Sequence, residues 1–463
     1  MFAFRAAARK TALSFAVAAL VASGGCAGSK DAAGTNILLV TLDTTRADYL
    51  SCYGYQGPVR ATPNLDSLAA DGVRFDRAIS ASAATPVSHA TILTGVYPYR
   101  HGVRVIYAEE GYFLADSVAT LASILGEKGW DTGAVLSSFT VSEFYGFDRG
   151  FRYFDSGISD DPEAAFRPKG NGLWGWEVEK NQRRSDATTD EAIRWLEGAK
   201  RPFCLWVHYW DPHDERLLPP EENQRLFETD TKDIYERKRL QYAGEIHYMD
   251  SQFGRLIRRL KESGEYDNTA IVVVADHGEG LGDHGWWNHR ILYQEQIRVP
   301  LIAKIPGWPA GEEIAAAVRS ADTMPTLLAA AGVAPPPGLD GRDMTPVVLG
   351  EEEEPRTAYA DAINLYDLNA GMVRLRPDDS LLHSLIDGDW KLIHRPLLEG
   401  KDELYRLSSD PREETNLVEE EPDRATRLRE ALDRFNGYVR DSLGEAADPE
   451  TLERLKALGY VGD

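Results

Sequence analysis

Four short apolar runs constrain the fold of this chain more than any other feature. They are NILLVTL (Asn36–Leu42), FCLWVHY (Phe203–Tyr209), TAIVVVA (Thr269–Ala275) and VPLIAKI (Val299–Ile305), all rich in β-branched residues. Helical stretches fall between them, at Ser117–Lys128, Ala187–Ala199 and Tyr235–Ser263. Alternation of this kind predicts an α/β fold, a large and mainly parallel sheet covered by helices on both faces. The stretch Ser156–Arg184, rich in Gly, Pro, Trp and charge, reads as a long loop near the functional site.

The pattern breaks at Pro335, Pro336 and Pro337 and again at the acidic run Glu351–Glu354. Beyond it, WKLIHR (Trp390–Arg395) and ELYRL (Glu403–Leu407) read as strands and Pro422–Leu443 as a helix, predicting a smaller C-terminal α+β domain. The expected organisation is a leader over 1–25, a catalytic domain over 36–350 and the smaller domain with a helical tail over 356–463. Oligomeric state has no signature in the sequence.

The leader reads as an export signal. Arg5, Arg9 and Lys10 precede an apolar run from Thr11 to Ala22, which ends at the small residues Ser23, Gly24 and Gly25 and is too short to span a bilayer. Cys26, directly after them, resembles the lipid-modified cysteine of bacterial lipoproteins, so a lipid-anchored periplasmic or surface protein and a secreted one are both expected. Only Cys52 and Cys204 then remain, in no CxxC arrangement. The net charge of −23, from 74 acidic and 51 basic residues, excludes nucleic acid as a partner bound through bulk charge. An anionic substrate would need a locally positive site.

In open α/β sheets, ligands sit beyond the carboxyl ends of the strands. Asn36–Leu42 runs into Asp43, Phe203–Tyr209 into Asp211 and His213, and Thr269–Ala275 into Asp276 and His277. Oxygen and imidazole groups gathered at one sheet edge suit a divalent cation. An aspartate after a strand is also a common turn former, so the joint pattern carries the argument. Asp276 and His277 stand in ADHGEGLGDHG, whose glycines allow the backbone to wrap a ligand.

TPVSHATILTG supplies a nucleophile candidate in Thr85, ahead of Pro86 and the helical run Val87–Leu93. Thr-Pro is equally a preferred helix start, with Thr as the cap, and Thr62–Pro63 in TPNLDSLAADG provides an internal control. A helix N-terminus favours attack on an anionic ester, since its amides and dipole stabilise negative charge.

Taken together, NILLVTLDTTRADYLSCYGY, ATPNLDSLAADGVRFDRAIS, LTGVYPYRHGV, ADHGEGLGDHG, YQEQIRVPLI and the ending DGDWKLIHR, ELYRLSSDPREETNL and LERLKALGYVGD resemble the sulfatase family within the alkaline phosphatase superfamily. The resemblance implies a metal-dependent hydrolase of sulfate or phosphate esters. Asp43, Asp276 and His277 would bind the metal and Thr85 would present its oxygen to it. His213 and His289 would lie near the substrate, with His289 a candidate acid for the leaving oxygen and His89 a further group positioning the transferred group or protonating it. Asp211, His213 and His289 are weighed as holders of a second ion, with poor spacing. His208, His247 and His284 read as structural or supporting.

Three departures from the family pattern matter. Thr85, Pro86, Val87, Ser88 and His89 stand where sulfatases have Cys or Ser, any residue, Pro, Ser and Arg, and threonine cannot become formylglycine. Thr44 follows Asp43 where a second Asp is common. His277 replaces an asparagine, which favours zinc or manganese over calcium or magnesium. A threonine ester must be cleaved at the transferred group itself, which leans the reading toward phosphate or phosphonate esters of a small molecule, glycan or lipid. Two alternatives stand beside it: a phospho-group transferase of the cell envelope, and an inactive binding lipoprotein that kept the fold.

Overall fold

The computed structural model describes residues 34–106, 113–157, 168–169, 173–174, 182–213, 217–352, 355–366 and 374–446. The leader, Cys26 and the final stretch 447–463 lie outside the described residues. The described residues from Gly34 onward belong to one compact unit.

The large sheet contains eight strands: β1 (Asn36–Leu42), β2 (Val73–Ile79), β3 (Asp131–Val135), β4 (Tyr153–Asp155), β7 (Phe203–Tyr209), β8 (Thr269–Ala275), β9 (Arg298–Lys304) and β10 (Glu312–Arg319). A two-residue antiparallel pair, β5 (Pro168–Lys169) with β6 (Leu173–Trp174), stands inside the segment read as a loop. The order across the large sheet is β10-β2-β9-β8-β1-β7-β3-β4. Pairing is parallel except along β9, which runs antiparallel to both β8 and β2.

The three central strands β8, β1 and β7 are buried at every position. That burial explains their unbroken apolar composition, since helices cover both faces. The long helix Ile234–Glu262 and the helix Ser185–Gly198 pack against each other. Gly133 in β3 makes room for the latter: a Cβ there would stand 2.4 Å from the indole of Trp195. Helix α1 (Pro63–Asp71) and helix α2 (Thr85–Thr94) also border the sheet.

The second sheet is antiparallel, in the order β11 (Ala358–Ala362), β12 (Leu382–Asp387), β13 (Trp390–His394), β14 (Glu403–Arg406). Ala425, Leu428 and Leu432 of the helix Pro422–Ala446 pack on Tyr359, Leu385, Leu392 and Leu404. Ile79, Ala83, Ile291 and Ile297 form another apolar cluster with Ala358, Ile386, Ile393 and Tyr405. The small sheet therefore buttresses the segments that flank Thr85 and His289.

The strand expected at Val299–Ile305 is set one residue earlier, and the helix expected at Ser117–Lys128 narrows to Leu121–Glu127, where Thr120 caps it from outside. Strands β2, β3, β4, β10, β11 and β12 were not anticipated from the sequence.

Candidate active site

Strand register creates the site. In the β1/β8 ladder Leu42 stands opposite Ala275, so the next residues, Asp43 and Asp276, leave the sheet side by side. The Asp276 amide donates to Leu42 O at 3.3 Å and the Asp43 amide to Tyr209 O at 2.8 Å, which extends the ladder by one residue. Asp276 Oδ1 then accepts the amides of Thr44 (3.0 Å) and His277 (2.7 Å). On the other flank, His208 of β7 stands 3.1 Å from Asp43 Oδ2 through Nε2. Its Nδ1 faces the Ser137 amide at 3.4 Å, so Nε2 carries the proton and donates to the carboxylate.

Two carboxylate oxygens are left over. Asp43 Oδ1 and Asp276 Oδ2 are buried and make no hydrogen bond among the described residues. Burial, and for Asp43 also the nearby charges of Asp276 and Glu279, holds both carboxyls well above their usual range. Glu279 is itself pushed up to about 8 by burial. A cation between the two aspartates would remove that penalty.

His277 completes the set. Its Nδ1 donates to Gly278 O at 2.8 Å, which leaves the Nε2 lone pair facing Thr85 Oγ1 at 3.2 Å. Burial lowers the imidazole to about 3, so the ring is neutral and ligand-competent. Asp43, Asp276 and His277 each offer one ligand atom, all within 4.8 Å of one another. Two hard oxygens and one imidazole fit a divalent ion.

The turn after His277 depends on close backbone packing. A Cβ on Gly278 would stand 2.0 Å from Glu295 O, where the Gly278 amide instead donates to Gln296 O at 2.7 Å.

Thr85 is not the cap of its helix. Ala84 occupies that position in extended conformation, without a side-chain cap bond, and Thr85 is the first helical residue. Its hydroxyl is thereby turned toward His277. The control behaves differently: Thr62 is the N-cap residue of α1, and its hydroxyl is engaged by the Ser51 amide (2.8 Å) and Asp66 (3.1 Å). Thr85 is 1 % exposed.

The histidines divide by contact. His289 Nδ1 donates to Ala83 O at 2.9 Å, and its ring lies 4.5 Å from that of His277 and 5.5 Å from that of His213. His213 stacks on Trp210 at 3.8 Å. His89, within α2, is fully buried, with Nδ1 donating to Thr85 O at 2.8 Å and standing 3.6 Å from Asp276 Oδ2. It holds the main chain at Thr85. His247 contacts Ala61 O, and His284 is held between Glu295 and Glu413 O and stacked on Tyr293.

Asp211 does not hold an ion with His213 and His289, because both its oxygens accept from the Ser185 amide and one also from the Ser185 hydroxyl (2.6 Å), fixing the start of that helix.

The model for the family described as Sulfatase matches residues 35–333, well over half of the chain. The chain belongs to the sulfatase family. A second model, described as N-sulphoglucosamine sulphohydrolase, C-terminal, matches residues 282–436. The chain is 26% identical to an N-acetylglucosamine-6-O-sulfatase of Bacteroides thetaiotaomicron, over 82% of each chain. It is 27% identical to an arylsulfatase of Clostridium perfringens, over 86% of this chain and 93% of the relative. The crystal structure of a phosphonate monoester hydrolase of Agrobacterium radiobacter superposes with a TM-score of 0.67 at 24% identity, covering 88% and 96%, a likeness of fold. This sulfatase-family protein is a hydrolase acting on ester bonds.

Arg290 and Tyr242 escaped the sequence reading of the site. His208, read as structural or supporting, proves to orient Asp43. Arg290 has a left-handed φ of 83°, its carbonyl accepts from Asn364 Nδ2 at 2.9 Å, and with Arg104, Ser82 and Ala84 it lines a small cleft beside Thr85. Arg104 is paired there with the buried carboxylate of Asp361 at 2.9 Å. Tyr242, from the middle of a long helix, touches the turn after Asp43. No motif marks it. The position of Arg290 directly after His289 was the one available signal.

Proposed function

We propose that this sulfatase-family protein hydrolyses phosphate or phosphonate esters, with sulfate esters as the second class, using Thr85 as nucleophile and a divalent ion held by Asp43, Asp276 and His277. The 3.2 Å approach of Thr85 Oγ1 to His277 Nε2, beside two orphaned carboxylate oxygens, is the observation that carries this reading. Zinc or manganese suits the imidazole in the set better than calcium or magnesium. When bound, the ion would lower the pKa of the Thr85 hydroxyl and stabilise charge on the transferred group.

The rest of the chemistry belongs to the chain. Thr85 gives up its hydroxyl proton to solvent as Oγ1 forms a bond to phosphorus or sulfur, and the bond to the leaving oxygen breaks with its electron pair staying on that oxygen. The amides at the start of α2 stabilise the developing negative charge. His89 fixes the Thr85 carbonyl and so the approach angle of the hydroxyl.

His289 supplies the proton to the leaving oxygen. Burial and the neighbouring His277 and His213 hold it well below the ordinary histidine value, so it is neutral. A bound anion reverses that balance and lets Nε2 take up the proton it then delivers. Water next attacks the group on Thr85, releasing it and restoring the hydroxyl. One water is consumed per ester.

The organic half of the substrate is an anionic glycan or lipid ester in this reading, supported by the sulfated-sugar names of the relatives and by the leader expected for an exported protein. A panel of aryl sulfate, phosphate monoester, phosphate diester and phosphonate substrates, assayed with defined Zn, Mn, Mg or Ca, tests it. Highest kcat/KM on a phosphate or phosphonate with Zn or Mn supports the assignment. Turnover of sulfate esters alone overturns its phosphorus preference.

A further inference from the structure

Thr44 has a φ of 44°, in the left-handed region that a β-branched residue occupies only when its surroundings enforce it. The Thr44 carbonyl meets Tyr242, 198 residues away along the chain, on the helix Ile234–Glu262. Its phenol donates to Thr44 O at 2.5 Å and accepts from the Arg46 amide at 2.9 Å. The ring is buried and seated edge-on against Tyr49, with 4.8 Å between centroids. One hydroxyl thus ties down the turn at two points.

That turn reaches the candidate metal centre. From its left-handed conformation Thr44 sends its amide to Asp276 Oδ1 at 3.0 Å, alongside the amide of His277 at 2.7 Å. Both donors converge on the same oxygen. Asp276 Oδ2 is consequently the atom left without a hydrogen bond, as is Asp43 Oδ1 one residue before Thr44. A Thr44 that relaxed to an ordinary φ would withdraw its amide, and Asp276 would lose one of the two donors that select which oxygen faces the ion.

We infer that Tyr242 is a positioning residue for the metal centre, acting through the strained Thr44 peptide to aim the Asp276 carboxylate. The inference rests on the metal reading above. In physical terms, the clamp stores strain at Thr44 so that the two aspartates are set before the ion arrives, a function that tight packing of the tyrosine ring alone would not supply.

Removing the hydroxyl while keeping the ring separates the two roles. Full-length protein is stripped with chelator and titrated with Mn and with Zn by calorimetry, for wild type, Tyr242→Phe and the double variant Tyr242→Phe/Thr44→Gly. The clamp predicts metal affinity at least about tenfold weaker in Tyr242→Phe, the scale of supporting-residue effects at metal sites. It predicts recovery of most of that loss in the double variant, because glycine takes a positive φ without strain. Wild-type metal affinity in Tyr242→Phe, with only a lower Tm, overturns the clamp, as does a double variant no better than Tyr242→Phe. A wild-type protein that binds neither ion overturns the metal reading and the clamp together, an outcome distinct from the other two.

Discussion

Thr85 Oγ1 stands 3.2 Å from Nε2 of His277, and the two residues are brought together by a helix start and a strand end that lie 192 residues apart in the chain. The contact uses the face of the imidazole left open because Nδ1 is spent on Gly278 O. It also explains why Ala84, which has no capping side chain, occupies the N-cap position of α2. With Ala84 at the cap, helix α2 starts without a side-chain cap bond, which costs on the order of 1 kcal/mol, and the Thr85 hydroxyl stays on His277.

His208 is predicted to control metal affinity without touching the ion. Its Nε2 donates to Asp43 Oδ2, leaving Oδ1 for the metal. His208→Phe keeps the ring packed edge-on against His89 but removes that donor. Calorimetric titration of chelator-stripped protein should show metal binding weakened about 10- to 100-fold. Unchanged affinity would mean that Asp43 is oriented by the sheet alone.

His289 should matter in proportion to how badly the leaving group needs a proton. His289→Gln should lower kcat/KM on alkyl esters by about 10²–10⁴. On a nitrophenyl ester, whose leaving oxygen departs unprotonated, the loss should stay below about tenfold. Equal losses on both would assign His289 to binding the transferred group instead.

Asp250 gives a stability prediction separate from catalysis. It lies in the long helix and accepts the amides of Asn64 and Leu65 at the start of α1. Burial outweighs these bonds and raises its carboxyl from 3.8 to about 7. The folded state therefore holds a proton that the unfolded state releases between those values. The stability associated with protonation is present below about pH 4 and is lost as pH rises through about 7. Asp250→Asn cannot ionise, so the difference in urea unfolding free energy between variant and wild type should shift in the variant's favour from pH 5 to pH 8. A constant difference over that range would show that Asp250 titrates normally.

Much of this architecture was legible because continuous burial leaves a continuous apolar record. β1, β7 and β8 were read to the residue for that reason, and Asp43, Asp276 and His277 followed from standing at their ends. β2, with Arg74, Asp76 and Arg77 inside it, and β10, half exposed, lack that record. β3 is short and carries Gly133 to admit Trp195. The direction of β9 was equally silent, since an apolar run reads the same both ways.

The supporting parts of the site were hidden for a different reason. His208, Tyr242 and Arg290 act through register and long-range contact, and nothing local distinguishes them from packing residues. Thr85 was legible only as an alternative between cap and nucleophile. Geometry removes the first, because the cap position belongs to Ala84.

The most direct test of the account is whether the transferred group passes through Thr85. Metal-loaded wild type is mixed with a phosphonate or phosphate monoester, quenched in acid during turnover and digested, and the peptide containing Thr85 is examined by mass spectrometry, with Thr85→Ala run in parallel. The account predicts a phosphoryl or phosphonyl group on Thr85 in the wild type. It also predicts that Thr85→Ala folds normally yet turns over at least about 10³-fold more slowly, the scale expected for loss of a covalent nucleophile. Full activity in Thr85→Ala, or a modified residue elsewhere in the chain, would contradict it.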